Sequence, residues 1–144
     1  MSLISVDQLA ARLDRDNAAA TLRVADVRWY LNRPDAGRAA YDAGHIPGAI
    51  FADLETDLSD PHGIGAPGRH PLPTPAAFRE KMAALGVGSQ VLVVAYDDTD
   101  GTVAARLWWM LDNLGHRGGA AVLDGGLPAW LAAYALAHAP AITS

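Results

Sequence analysis

Val91-Leu92-Val93-Val94-Ala95 is the stretch that decides the fold. A strand with one wet face alternates apolar and polar side chains, whereas five apolar residues in succession, three of them β-branched, make a strand covered on both faces. Such a strand belongs at the centre of a parallel sheet packed between helices. The flanking sequence agrees. Upstream, Thr74 is an N-cap followed by Pro75 in the first helical turn, and the helix it starts runs to Gly86. Downstream, a helix is predicted from about Thr102 to Leu114, stopped by Gly115. Then come a strand over Ala120–Leu123, a Gly125-Gly126 turn and a last helix around Pro128–Leu136.

The same alternation holds toward the N-terminus. Ser5 and Gln8 have capping-box spacing ahead of a helix over 6–15, with Leu9 and Leu13 one turn apart. Leu22–Val27 reads as a buried strand, Ala49–Ala52 as a second short one, and residues 29–48 as a loop around a short helix. Residues 53–73 hold four prolines and three glycines and read as one long loop, a length that in compact domains usually carries function. The expected architecture is α/β, a mostly parallel sheet with helices on both faces. Ligands of such sheets sit beyond the carboxyl ends of the strands, here the loops after Val27, Ala52 and Tyr96.

Composition limits the functions. The chain has 144 residues, 51% hydrophobic and 19% charged, enough for one domain with a sizeable core. A formal charge of −5 leaves no broad basic surface for nucleic acid. Only Lys81 is a lysine among eleven basic residues. No apolar run reaches membrane-spanning length and no signal-peptide pattern opens the chain, so the expectation is a cytoplasmic protein that neither spans nor binds a membrane. There is no cysteine, hence no disulfide, thiolate metal site or cysteine nucleophile in this polypeptide. The five serines lie in no nucleophile elbow, and phosphate-loop and zinc-helix motifs are absent. No cofactor or metal is expected. Asp98-Thr99-Asp100-Gly101 matches only a fragment of a calcium loop, with Tyr96 where the first ligand belongs.

Tyr41-Asp42-Ala43-Gly44-His45-Ile46-Pro47-Gly48-Ala49 resembles a signature of the rhodanese family of sulfurtransferases. It stands within a longer match: Asp26-Val27-Arg28-Trp29-Tyr30 before it, then Gly68-Arg69-His70-Pro71-Leu72-Pro73, Val94-Ala95-Tyr96-Asp97-Asp98, Ala105-Arg106-Leu107-Trp108-Trp109 and Leu123-Asp124-Gly125-Gly126-Leu127-Pro128-Ala129-Trp130. Order and spacing are similar to the N-terminal, non-catalytic half of tandem thiosulfate and 3-mercaptopyruvate sulfurtransferases, over about residues 5–135. The resemblance implies a three-layer rhodanese-like domain over 1–135, with 136–144 the start of a linker to a catalytic rhodanese domain. That domain, normally in the same chain, is the implied partner, and small sulfur-donor anions are the implied substrates.

The family's catalytic cysteine heads a loop between a central strand and a helix. The matching loop here is Asp97-Asp98-Thr99-Asp100-Gly101-Thr102, with Asp97 at the cysteine position. Three carboxylates within four residues repel an anionic donor, so this chain alone is expected to be inactive. Two readings of the aspartates stand open: they satisfy the N-terminal end of the following helix, or they hold a metal.

The resemblance further implies that Glu55, Arg69 and His70 of the long loop reach toward the partner's cysteine loop, where they orient substrate or move a proton. The alternative for Arg69 and His70 is that they hold an irregular loop through backbone carbonyls. Trp29, just past a strand's carboxyl end, is a candidate for interface packing. His45 is expected to satisfy turn carbonyls. Trp108 and Trp109 point about 100° apart on a helix, so one is expected in the core and the other toward a second helix or a partner. Two rival functions are a free-standing inactive module that binds a protein, and a small-anion sensor built on Arg28, Arg69 and His70.

Overall fold

The computed structural model describes residues 1–60 and 70–137. In chain order the elements are β1 (Leu3–Ile4), α1 (Val6–Leu13), α2 (Ala18–Thr21), β2 (Leu22–Asp26), α3 (Ala36–Ala43), β3 (Ile50–Phe51), α4 (Pro75–Ala84), β4 (Leu92–Tyr96), α5 (Thr102–Asn113), β5 (Ala120–Leu123) and α6 (Gly126–Leu131). The five strands form one sheet in the order β1-β5-β4-β2-β3, with every pair parallel. The decisive apolar stretch is β4, second-neighbour to both edges, with Leu22↔Leu92 through Asp26↔Tyr96 in register on one side and Val93↔Ala120 through Ala95↔Val122 on the other.

Side chains alternate across the sheet as the pleat requires. Val93 and Ala95 of β4, with Ala25 and Val122, pack against Phe78 and Met82 of α4 and Ala104, Leu107, Met110 and Leu111 of α5. Val94 and Tyr96, with Leu22, Val24 and Leu123, pack against Leu9 of α1 and Leu127 and Trp130 of α6. These are the two covered faces of the predicted three-layer fold.

Local signals set the helix starts. Ser5 Oγ accepts the Gln8 N–H at 3.1 Å and the Ser5 N–H donates to Gln8 Oε1 at 2.9 Å, the full capping box. Thr74 caps α4 through the Ala77 N–H at 3.1 Å. Two elements escape the sequence reading. β1 is only two residues long and has no periodicity to detect; it forms because Val122 N–H donates to Ser2 O and Asp124 N–H to Ile4 O. α2 is a single turn within an alanine run. The last helix ends at Leu131 rather than near Leu136. Ala137 then returns to exchange backbone hydrogen bonds with His45, both 2.8 Å, so contacts with the domain reach two residues past 135. Residues 138–144 lie outside the described part. Among the described residues no helix is long and apolar enough to cross a membrane.

Candidate functional site

The loops after β2, β3 and β4 leave the same end of the sheet. The β4–α5 loop opens with Asp97, which is only 3% exposed although it carries a carboxylate. The loop backbone curls around that carboxylate. Oδ1 accepts the N–H groups of Thr99 (3.1 Å) and Gly101 (3.0 Å), and Oδ2 accepts that of Ala104 (3.1 Å) in the first turn of α5. Asp97 therefore satisfies donors that a helix start would otherwise leave orphaned. The backbone carbonyl of Asp97 accepts the Leu127 N–H at 3.0 Å. That contact requires glycine at 126, where φ is +60° and a Cβ would lie 2.8 Å from the Asp97 carbonyl oxygen.

Asp100 repeats the motif at the surface. Its Oδ1 accepts both the hydroxyl and the N–H of Thr102, which hold its carboxyl below the usual carboxylate range. Asp98 turns the other way: Oδ2 accepts from the Tyr30 hydroxyl, and Oδ1 is buried with no hydrogen-bond partner among the described residues. Burial and then the Asp98 bond push the Tyr30 phenol up to about 12. A cavity of about 380 Å³ beside the loop is lined by Asp97, Asp100, Asp124, Thr99 and Gly126, an acidic wall unsuited to an anionic donor. Among the described residues no three His, Asp or Glu side chains converge to hold a metal ion.

A second group forms where the long loop returns. His70 Nε2 lies 2.9 Å from Glu55 Oε2, and the imidazole meets the Trp29 indole edge to face with ring centroids 5.0 Å apart. Glu55 is positioned by its neighbours, since its own N–H donates to Asp53 Oδ1 at 2.7 Å. The pair stays reachable, with the His70 side chain 14% and the Glu55 side chain 41% exposed. Three of the four residues singled out in the sequence thus meet; the fourth, Arg69, lies outside the described residues.

The other singled-out residues are structural in their contacts. Arg28 Nη2 donates to Asp26 Oδ2 (2.7 Å) and to the Gly44 carbonyl (2.6 Å), and both side chains are buried. The Tyr96 hydroxyl donates to the same Asp26 oxygen at 2.7 Å and accepts the Ile46 N–H at 3.2 Å. Burial pushes the Tyr96 phenol far up. With its guanidinium committed this way, Arg28 has no fork left for an anion, which removes one leg of the anion-sensor reading. His45 Nδ1 contacts the Tyr41 carbonyl at 2.8 Å and its ring stacks on that tyrosine, as expected of a turn residue. Trp108 packs against the core, and Trp109 is 47% exposed.

Sequence reasoning assigned no contact to Arg106. Its Nη2 donates to the carbonyls of Leu58 and His70, both at 2.8 Å, fastening α5 to both ends of the long loop. The one available signal was an arginine set among apolar residues of a buried helix.

The rhodanese-like domain family matches residues 5–133. A Pseudomonas aeruginosa protein named "Probable 3-mercaptopyruvate sulfurtransferase" is 50% identical over 131 residues, which is 91% of this chain and 45% of that protein. The Arabidopsis thaliana thiosulfate/3-mercaptopyruvate sulfurtransferase 1, mitochondrial, is 41% identical over 133 residues, 90% of this chain and 32% of that protein. Among solved structures, the 3-mercaptopyruvate sulfurtransferase from Leishmania major superposes with a TM-score of 0.81 at 32% identity, covering 99% of this chain and 38% of that one. The chain spans less than half the length of these relatives. Sheet order, helical layers, motifs and comparisons agree: this chain belongs to the rhodanese family.

Proposed function

We propose that this chain is the non-catalytic rhodanese domain of a thiosulfate or 3-mercaptopyruvate sulfurtransferase, acting in the cytoplasm and lending interface and cleft residues to a cysteine on another domain. The observation that carries this reading is the Glu55–His70 pair, braced by Trp29 and still reachable, at the end of the sheet where a rhodanese keeps its chemistry. The Asp97 loop supports it from the other side, because a carboxylate fills the cradle and the sequence has no thiol.

In the reaction, a thiolate of the catalytic domain attacks the outer sulfur of thiosulfate or the thiol sulfur of 3-mercaptopyruvate. The S–S bond of thiosulfate breaks to release sulfite, or the C–S bond of 3-mercaptopyruvate breaks to release the enolate of pyruvate, which takes up a proton. The persulfide then passes its outer sulfur to cyanide or a thiol. His70 is suited to hold or move the proton, since an imidazole can both donate and accept one, and the Glu55 carboxylate orients its ring. Arg69, beside His70 in sequence, has the donor geometry to hold a carboxylate or thiosulfonate.

The test is the size of the native polypeptide, read by immunoblot against this domain, followed by kinetics. A band near twice 15.1 kDa whose turnover falls on His70→Ala supports the proposal. A band at 15.1 kDa with no catalytic rhodanese partner refutes it and leaves the free-standing binding module.

A further inference from the structure

We infer that Arg106 is the positioning residue for His70, the group that fixes where the Glu55–His70 pair stands relative to the β4–α5 loop. The guanidinium bridges two stretches twelve positions apart in sequence. Nε and Nη2 reach the Leu58 carbonyl at 3.1 and 2.8 Å, and Nη2 also reaches the His70 carbonyl at 2.8 Å and, longer, Ser59 Oγ at 3.4 Å. Leu58 and Ser59 are buried, so one end of the bridge is anchored in the packed interior. The Asp60 N–H closes the same loop onto Pro71 O at 2.9 Å. Among the described residues the guanidinium has no carboxylate partner, and burial lowers its pKa. Lysine, a point charge on a flexible stem, can reach these carbonyls but fixes their geometry less firmly than the planar guanidinium.

Arg106 lies on α5, the helix whose first turn completes the Asp97 cradle. One rigid element therefore carries the loop at its N-terminus and fastens the His70 backbone one turn further along. His70 is then held at three points: its backbone carbonyl by Arg106, its Nε2 by Glu55 and its ring by Trp29. Glu55 and Trp29 set the ring's orientation. Arg106 sets its place.

The placement is tested on this chain alone, and only its effect on turnover rests on the function proposed above. Arg106→Gln and Arg106→Lys are compared with the parent chain by NMR, following cross-relaxation between the His70 and Trp29 rings, and by the rate at which diethyl pyrocarbonate modifies His70. Buried His45, stacked on Tyr41, reports the integrity of the fold. The expected result is loss of the His70–Trp29 cross-peaks and faster modification of His70 in the glutamine variant, with partial restoration by lysine and His45 unchanged. Unchanged cross-peaks and unchanged reactivity of His70 overturn the inference. Should the glutamine variant lose the His45 signature, the lysine variant decides on the same two readouts.

In the two-domain enzyme, Arg106→Gln is expected to lower kcat by about as much as His70→Ala, about 10²-fold, and the double variant no further. Additive losses overturn the assignment. If His70→Ala leaves turnover unchanged, the functional reading of His70 fails, while the NMR result still decides whether Arg106 places it.

Discussion

The β4–α5 loop and the Glu55–His70 pair stand at the same end of one sheet and treat their charges in opposite ways. Asp97 is buried, and its two carboxylate oxygens accept three backbone N–H groups of its own loop. Glu55 and His70 keep part of their surface and lean on residues from elsewhere in the chain. The β4–α5 loop surrounds an anion that the chain itself supplies. A pair placed by distant supports stays open to whatever arrives from outside. The same end of the sheet thus carries one carboxylate enclosed by its own loop and one carboxylate–imidazole pair left partly exposed.

The sharpest way to break this contrast is to empty the cradle. Asp97→Ala leaves three donors without partners and should destabilise the domain by about 3 kcal/mol in urea unfolding, because hydrogen bonds to a buried carboxylate are among the stronger ones. A loss below about 0.5 kcal/mol would show that the loop does not depend on its own carboxylate. On the open side, His70→Ala in the two-domain enzyme should lower turnover by about 10²-fold. Its stability should change by less than about 1 kcal/mol. A large stability loss with unchanged turnover would reverse the roles assigned to the two regions.

Tyr30 ties the β2 loop to the β4–α5 loop through Asp98. Tyr30→Phe should cost about 1 kcal/mol. The phenol's pKa is raised in the folded protein to about 12 from an ordinary 10.0, so its contribution is complete below pH 10.0 and is lost as pH rises through about 12. Alkaline unfolding should therefore begin at lower pH in the phenylalanine variant only if another group limits the parent. If Tyr30 limits it, the two stability curves converge above about pH 12. The smallest effect belongs to Asp97→Cys: with Asp98 and Asp100 still in place, thiocyanate formation by this chain should stay below about one hundredth of a catalytic rhodanese domain's, the scale of loss when an oxyanion site is spoiled. Brisk turnover would show that acidic neighbours do not silence the loop.

Much of this was legible in the chain. The apolar run at residues 91–95 placed the central strand within one residue of β4, and Ser5 and Thr74 marked the starts of α1 and α4 because capping is a contact between residues three apart. The aspartates at 97 and 100 were readable as helix-start acceptors because the donors they serve lie within seven positions of chain, and the structure shows each accepting an N–H from the first turn of α5. Asp98 was not, because its partner Tyr30 is 68 positions away. β1 was missed since two residues carry no period, and it exists only because β5 offers an unpaired edge.

By itself, the sequence determined the alternation of strands and helices, which loops leave the carboxyl end of the sheet, and the absence of any thiol. These follow from patterns within a few turns of chain and from composition, where the physics is local. Only the tertiary structure decided that Asp97 fills its own cradle while Glu55 meets His70 across 15 positions, and that Arg106 reaches His70 across 36 and Leu58 across 48. Those contacts depend on how loops close over a sheet. Closure is set by the packing of the entire core rather than by the residues that meet.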